Sequence, residues 1–273
     1  MMSLLPGSFS CMAELTTACL RLQQFLQKRE HLIDETRQPI DGMASTPGEV
    51  ILKEVTFRRG GGNEEGRAFQ LGPLNLTLHP GDLCVVCGPV GSGKSTLVLG
   101  LLRELTTSGL VQCGGRKALC GQEPWIMSAS VYENICCFRQ DHQYDQSVQS
   151  AQLQVDLGNL PAGDQTEIGA KGINISGGQK ARVALARSLM DSSDVVLLDD
   201  VFSAVDVHVA TALIQEALLG ALKSSTRVVV ANTFLPLLLP HAQQVVILDS
   251  QGGIEAQGPL EVVHRESPWL QEA

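Results

Sequence analysis

The fold of this 273-residue chain is decided by the stretch Gly88-Pro89-Val90-Gly91-Ser92-Gly93-Lys94-Ser95-Thr96. An apolar run at 83–87 precedes it, and a helix-like run at 97–102 follows it. A strand, a glycine-rich loop and a helix start in this order are the context of a phosphate-binding loop, so the whole stretch is a candidate nucleotide site. In such a loop, backbone N–H groups and the helix N-terminus together face an anion. We expect Lys94 to contact the β- and γ-phosphates of a nucleoside triphosphate, and the Ser95 hydroxyl to bind Mg²⁺.

A carboxylate further along the chain is predicted to complete this site. Residues 195–198 are apolar and lead directly into Asp199 and Asp200. A short apolar run of this kind predicts a buried parallel strand that carries its last side chain to the C-terminal edge of the sheet. Ligands of open α/β sheets bind at that edge. Asp199 is therefore the predicted second anchor for Mg²⁺.

Composition and charge narrow the class of protein. The chain is 44% hydrophobic and 18% charged, which is typical of a globular protein with one large domain or two small ones. Its net charge of −9 argues against a nucleic-acid partner, since nucleic-acid-binding proteins usually carry a basic patch. Of the eight cysteines, Cys84 and Cys87 lie three residues apart in a predicted strand. They should face opposite sides of the sheet, so they cannot share a metal ion, and we expect reduced intracellular thiols.

The first residues predict a helix followed by a linker. Residues 11–30 have Leu15, Cys19, Leu22 and Leu26 at helical spacing. This face either packs on its own domain or docks on something outside the chain. Residues 34–48 are polar and read as a linker. No run reaches the 18 apolar residues that a membrane span needs, and the N-terminus lacks the basic start of a signal peptide. We therefore expect the isolated chain to be soluble and cytosolic.

Further elements are predicted from alternation and apolar runs. The segments 50–57 and 69–78 read as antiparallel strands, joined by a flexible hairpin tip at 58–66. Short strands follow near Val111 and at 118–120, and the region 128–190 is rich in helix. Two more strands, at 227–230 and 244–248, are predicted to complete the sheet.

The segment Asn174-Ile175-Ser176-Gly177-Gly178-Gln179-Lys180-Ala181-Arg182 resembles the signature motif of ATP-binding-cassette (ABC) proteins. Gln122 with residues 123–126 looks like the Q-loop of that family, and 166–169 and 203–206 are similar to its other connecting loops. The resemblance covers nearly all of residues 48–273. The sequence of these segments is most similar to the first nucleotide-binding domain of the C subfamily, the multidrug-resistance-associated transporters.

The resemblance implies a fold and a division of the chain. The fold is an α/β P-loop NTPase core with a mainly parallel sheet, an N-terminal antiparallel β-subdomain and a helical signature subdomain at about 124–185. Residues 1–47 are similar to the helix and linker that follow a membrane domain in such transporters. Residues 48–273 would then be the nucleotide-binding domain at the cytoplasmic face of a membrane, as part of a transporter.

The residues of the signature segment also predict a helix start that can bind a phosphate. Ser176 is predicted to cap a helix, and Gly177 and Gly178 leave the helix start bare, so that its N–H groups and dipole can face a phosphate. With Gln179, these residues are candidates for nucleotide binding. The resemblance implies that the phosphate belongs to an opposing domain. Two nucleotide-binding domains, in the same or another chain, would close head to tail around ATP, next to the transmembrane domains. Gln122 would contact both Mg²⁺ and the membrane domain.

Three positions depart from the family pattern. Asp200 stands where competent sites carry the glutamate that orients the attacking water, and its side chain is one methylene shorter. Asn232 stands at the position of the switch histidine, and it can donate a hydrogen bond to a phosphate but cannot carry a charge. Arg59 stands where an aromatic residue stacks on adenine. An arginine plane can also stack on a base, and Phe57 is a candidate substitute.

These departures leave several functions open. The first hypothesis is a domain that powers or gates an exporter, in which Asp200, Gln122, Lys94 and Asn232 form a slow catalytic site. In that case the intact signature completes the faster site of a partner domain. Alternatively, Asp200 is sufficient and the domain is an ordinary ATPase. A further alternative is a non-hydrolysing regulatory domain of a channel or receptor. A soluble cassette protein acting on ribosomes or DNA is disfavoured, because the chain has one cassette, no coiled-coil insertion and an acidic balance.

Overall fold

The computed structural model describes residues 14–24, 26, 46–60, 69–137, 143–169, 174–190 and 192–272. The chain divides into two units, Met1–Met43 and Ala44–Ala273. In the first unit, residues 14–24 form helix α1. The rest of the predicted helix at 11–30, apart from residue 26, lies outside the described residues, as does most of the predicted linker. The predicted hairpin tip at 58–66 is described only as far as residue 60.

The second unit is built on a six-stranded sheet whose inner strands are parallel. In spatial order its strands are β11 (Ile254–Gly258), β10 (Gln244–Leu248), β3 (Leu83–Cys87), β9 (Thr226–Val230), β8 (Val195–Asp199) and β5 (Lys117–Cys120).

The parallel strands were predictable, but the edge strand was not. Strands β8, β9 and β10 confirm the predicted strands at these positions. The prediction that 244–248 completes the sheet was wrong, because β11 adds an antiparallel edge strand to β10. In β11 only Ala256 is buried, so this strand leaves almost no apolar pattern in the sequence.

A three-stranded antiparallel sheet lies over one face of the parallel sheet. Its order is β2 (Phe69–Leu78), β1 (Val50–Arg59) and β4 (Thr106–Cys113). Strands β1 and β2 confirm the predicted antiparallel strands, whereas β4 was predicted only as a short strand near Val111. The two sheets share one apolar cluster, which includes Phe57 of β1 and both Cys84 and Val86 of β3. The opposite face of β3 contributes Cys87 to a second cluster with the helices.

The two strand cysteines therefore face opposite sides of the sheet, as predicted. Cys84 belongs to the cluster under the antiparallel sheet and Cys87 to the cluster under the helices. Burial raises the pKa of each thiol to about 12. Both thiols are therefore protonated near neutral pH and behave as small apolar side chains.

The helix that follows the phosphate loop, α2 (Lys94–Leu101), packs in the cluster under the antiparallel sheet. The helices after it cover the other face of the parallel sheet and form the part of the chain around the signature. The later helices are α3 (Val131–Cys136), α4 (Tyr144–Ser150), α5 (Gln154–Asn159), α6 (Gly177–Leu189), α7 (Val207–Leu213), α8 (Leu235–Leu238), α9 (Leu260–Glu266) and α10 (Pro268–Glu272). A two-stranded ribbon of β6 (Ala129–Ser130) and β7 (Glu167–Ile168) lies among them, and a π-helix, Ile214–Ala221, continues α7.

The strand order brings the predicted site residues to one edge of the sheet. Strand β3 pairs with β9, and β9 pairs with β8, all in parallel. Their C-terminal ends therefore lie side by side. The segments that follow these ends contain the phosphate loop, Asp200 and Asn232. This edge is where open α/β sheets bind their ligands.

Candidate functional site

A cavity of about 370 Å³ opens at this edge of the sheet. Most of the residues predicted for the site contribute to its wall. The lining residues are Arg59, Phe69, Val90, Gly91, Gly93, Lys94, Ser95, Thr96, Gln122, Asp199, Asp200, Val230 and Asn232.

The phosphate loop surrounds the Lys94 ammonium group. Lys94 Nζ donates hydrogen bonds to the carbonyl oxygens of Gly88 and Pro89, each at 2.7 Å. Burial lowers the pKa of Lys94 from its ordinary value, which indicates a charge with reduced access to water. In the described part of the chain, no side chain caps the N-terminus of α2, and its first turn has no acidic residue. The positive end of this helix therefore faces the cavity without an anion from the chain's own first turn.

Two neighbouring carboxylates have different surroundings. Asp199 is the last residue of β8 and is only 8% exposed. Asp200 lies in the left-handed region with φ 54°, and its N–H donates to the Val230 carbonyl oxygen at 2.9 Å. Gln122 Nε2 donates to the Asp200 carboxylate at 3.4 Å. Burial is the largest cause of the raised pKa of Asp200. The end of β8 thus offers one buried carboxylate and one that faces Gln122.

Asn232 follows β9 and lines the same cavity. Its Oδ1 accepts a hydrogen bond from the Gly88 N–H at 3.3 Å. The side chain therefore contacts the first residue of the phosphate loop and also lines the cavity.

Of the two residues predicted to contact adenine, Arg59 and Phe57, only Arg59 lines the cavity. Phe57 does not, because its side chain is fully buried in the core under the antiparallel sheet. A Cβ atom added to Gly100 of α2 would lie about 2.5 Å from the Phe57 ring, so the ring fills the space against that helix. Phe57 is a core residue and cannot stack on a nucleotide.

Among the described lining residues, Phe69 is the aromatic one, and the sequence analysis did not predict it. Phe69 starts β2 and pairs with Arg59 across the sheet. A Cβ atom added to Gly93 would lie 2.8 Å from its ring, so the ring lies against the last glycine of the phosphate loop. The pairing of β1 with β2 was predicted, but its register was not. The register depends on irregularities in β1, so no local sequence signal identifies Phe69.

The signature segment forms a capped helix start, as predicted. Ser176 is the N-cap of α6, with its side chain accepting from the Gln179 N–H, while the Gln179 side chain accepts from the Ser176 N–H. This is the reciprocal capping box. Among the described residues that line the cavity, none belongs to Ser176–Gln179. The phosphate loop and both carboxylates therefore line one cavity, and the signature segment lies outside it.

The start of α6 is fixed to neighbouring segments by side-chain contacts. Gln179 Nε2 donates to Asp156 Oδ1 of α5 at 2.9 Å, and Arg182 lies 2.7 Å from the other Asp156 oxygen. A Cβ atom at Gly178 would lie 2.8 Å from the Ala204 carbonyl oxygen, whereas one at Gly177 would meet no described atom within 4 Å. Gly178 is therefore required by packing against the loop after Asp200, and only Gly177 leaves the helix start open.

Comparison with known proteins decides the family. A family model described as ABC transporter matches residues 71–203, which contain the phosphate loop, Gln122, the signature and both carboxylates. The chain belongs to the ATP-binding-cassette family. The α/β fold with a mainly parallel sheet, predicted from that resemblance, is confirmed. Membership of this family implies ATP binding and, in general, ATPase activity.

The similar proteins are C-family ABC transporters. The chain is 35% identical over 263 residues to ABC transporter C family member 8 of Dictyostelium discoideum, covering 94% of the chain and 16% of that protein. It is 35% identical over 264 residues to ATP-binding cassette sub-family C member 3 of Homo sapiens, covering 94% of the chain and 17% of that protein. An oligomycin resistance ATP-dependent permease of Saccharomyces cerevisiae is 40% identical over 186 residues, covering 67% of the chain and 12% of that protein.

These matches confirm the resemblance to the C subfamily. The chain spans about a sixth of the length of the first two of these relatives. In the part of the chain that the structure describes, no helix combines the length and the apolar character needed to cross a bilayer.

Proposed function

We propose that the cassette binds ATP with Mg²⁺ in the cavity at the edge of the parallel sheet. The observation that carries this proposal is the meeting of Lys94, the first turn of α2 and the Asp199 carboxylate in one cavity. Lys94 and the helix N-terminus suit the phosphates. The Ser95 hydroxyl, the Gln122 amide oxygen and the Asp199 carboxylate are the hard oxygen ligands that Mg²⁺ prefers. Bound there, Mg²⁺ would neutralise charge on the phosphate oxygens.

The adenine would lie between Arg59 and Phe69. Both side chains line the cavity, and they are paired across β1 and β2. A guanidinium plane and an aromatic ring each stack on a base. Phe69 therefore supplies the ring that the Arg59 position lacks.

We propose that hydrolysis in this cavity is slow. The Asp200 carboxylate is one methylene shorter than glutamate and already faces Gln122. Asn232 carries no charge at the position of the family's histidine. Lys94 would hold the phosphates and Gln122 the Mg²⁺, while Asp200 would aim the water poorly.

The position of the signature supports a pairing of two domains. Because Ser176–Gln179 lies outside the cavity, it is available for the ATP of a second nucleotide-binding domain in a head-to-tail pair. In this arrangement residues 1–47 would follow a membrane domain, and the cassette would power or gate a transporter at the cytoplasmic face of a membrane. A non-hydrolysing regulatory domain of a channel or receptor is the second candidate, favoured by Asp200 and Asn232 together.

The pairing is tested by phosphate release from the chain alone and mixed with a purified second nucleotide-binding domain of a C-family relative. We expect slow release from the chain alone and faster release from the mixture. Gly177→Arg places a bulky charge at the signature and should remove the gain in phosphate release. Lys94→Ala, a separate variant of this chain, should preserve most of that gain. A gain that survives Gly177→Arg, or no gain on mixing, would count against head-to-tail catalysis.

Phe69→Ala is expected to weaken ATP binding about ten-fold, because stacking contributes on the order of 1–3 kcal/mol per base. Titration calorimetry with ATP and with inorganic triphosphate measures this directly. The affinity for triphosphate should stay unchanged, since the loop contacts are intact. Phe57→Leu, a core substitution, is the matched control and should leave both affinities unchanged in the folded protein. Equal losses for ATP and triphosphate in Phe69→Ala would contradict the adenine assignment.

A further inference from the structure

We propose that Asn232 is a positioning residue for the phosphate loop, and that it supports ATP and ADP binding equally instead of sensing the third phosphate. The proposal rests on ATP binding in the cavity as proposed above. It assigns Asn232 a role that differs from direct contact with a γ-phosphate. Its side chain continues the backbone pairing of β3 and β9.

The backbone ladder between these strands ends just before the loop. Val86 of β3 pairs with Val230 of β9, and the Ala231 N–H donates to the Val86 carbonyl oxygen at 3.1 Å. Beyond this point β3 turns into the loop. The Gly88 N–H then donates to Asn232 Oδ1 at 3.3 Å. A side-chain amide thus takes the place of the next carbonyl of the ladder.

Gly88 is tightly held on its other sides as well. Its φ is 140°, and an added Cβ atom would collide with the carbonyl oxygen of Leu248 at the end of β10. Its own carbonyl oxygen accepts from Lys94 Nζ at 2.7 Å. Gly88 therefore lies between Asn232, β10 and Lys94. Asn232 can act on the phosphate-binding lysine through this one residue.

The two roles make different demands on nucleotide affinity. A residue that contacts the third phosphate contributes to ATP binding and not to ADP binding. A residue that fixes the start of the loop contributes to both, because both nucleotides use the loop amides and Lys94. The ratio of the two affinities therefore distinguishes the roles.

The first measurement is amide hydrogen exchange of Gly88 in the protein without nucleotide. We expect Asn232→Ala to accelerate this exchange several-fold, because its N–H loses its acceptor. Asn232→Asp keeps an acceptor oxygen and should restore slow exchange. Thr233→Ala, an exposed neighbouring substitution, is the matched control and should leave it unchanged. Unchanged exchange in Asn232→Ala would overturn the proposal, whether or not the protein binds ATP.

The second measurement is calorimetric titration of Asn232→Ala with Mg²⁺ and either ATP or ADP. We expect both dissociation constants to rise by the same factor, about five-fold, which is typical for the loss of one hydrogen bond. A loss confined to ATP would identify a sensor of the third phosphate and overturn the proposal. Normal affinity for both nucleotides would overturn it as well. Failure of the unmodified chain to bind either nucleotide would instead refute the proposed function, and the exchange measurement would still decide the role of Asn232.

Discussion

Replacing Lys94 with alanine is expected to reduce the affinity of the cassette for ATP about 100-fold. Lys94 Nζ lies inside the loop, within 2.7 Å of two of its carbonyl oxygens, and lines the cavity. Hydrogen bonds to charged groups contribute about 1.5–3 kcal/mol each, and a lysine that contacts two phosphates makes two of them. The loss of about 3 kcal/mol corresponds to about two orders of magnitude in affinity. Titration calorimetry with ATP and Mg²⁺ measures it.

The control for this variant is another lysine of the same domain. Lys223 is exposed and precedes β9, at the end of the sheet away from the cavity. Lys223→Ala removes one positive charge, as Lys94→Ala does, and should leave ATP affinity within about two-fold, on the order of the effect of a remote surface charge. Equal affinity of Lys94→Ala and the unmodified protein would show that ATP binds elsewhere or not at all.

The second large effect is an expected gain. Asp200→Glu should raise ATP turnover by about two orders of magnitude, because a misplacement of about 1 Å at a reacting centre costs about 10²-fold. The added methylene extends the carboxylate by about 1.5 Å, roughly the length of one carbon–carbon bond. The measurement is kcat at saturating ATP, with the second domain present. Adding Asn232→His should raise turnover further only if the imidazole also supports the Gly88 N–H.

A matched substitution at the neighbouring carboxylate tests whether the gain depends on the position of the longer side chain or only on adding a methylene to the site. Asp199→Glu adds the same methylene to the predicted Mg²⁺ anchor, which is buried at the end of β8. This variant should lose turnover, because overpacking a buried site displaces its ligand oxygen. Unchanged turnover in Asp200→Glu, or brisk hydrolysis by the unmodified chain, would favour the ordinary ATPase instead.

Much of the site was predictable because its signals are local. The phosphate loop needs glycines, a lysine and a hydroxyl at fixed spacing between a strand and a helix, and these lie within one short stretch. Asp199 follows an apolar run that is buried throughout in β8. The capping box of Ser176 and Gln179 also depends only on residues three positions apart.

The rest depends on tertiary packing that no local pattern encodes. Phe57 and Arg59 are two residues apart on β1, yet one is buried and the other lines the cavity. The register with β2, which includes irregularities in β1, decides that Phe69 reaches the phosphate loop. Asp156 contacts Gln179 only because α5 folds back onto α6. These contacts are set by the assembled core, so a reading along the chain could not find them.

We expect the cassette to hold ATP without efficiently cleaving it. The most direct measurement is to incubate the purified chain with labelled ATP and Mg²⁺, remove free nucleotide rapidly, and identify the bound nucleotide over time. We expect one nucleotide per chain that remains ATP over many minutes, and no bound nucleotide in Lys94→Ala. Empty protein, or bound label converted to ADP within seconds as in enzymes with ordinary turnover of about 1 s⁻¹ or more, would contradict it.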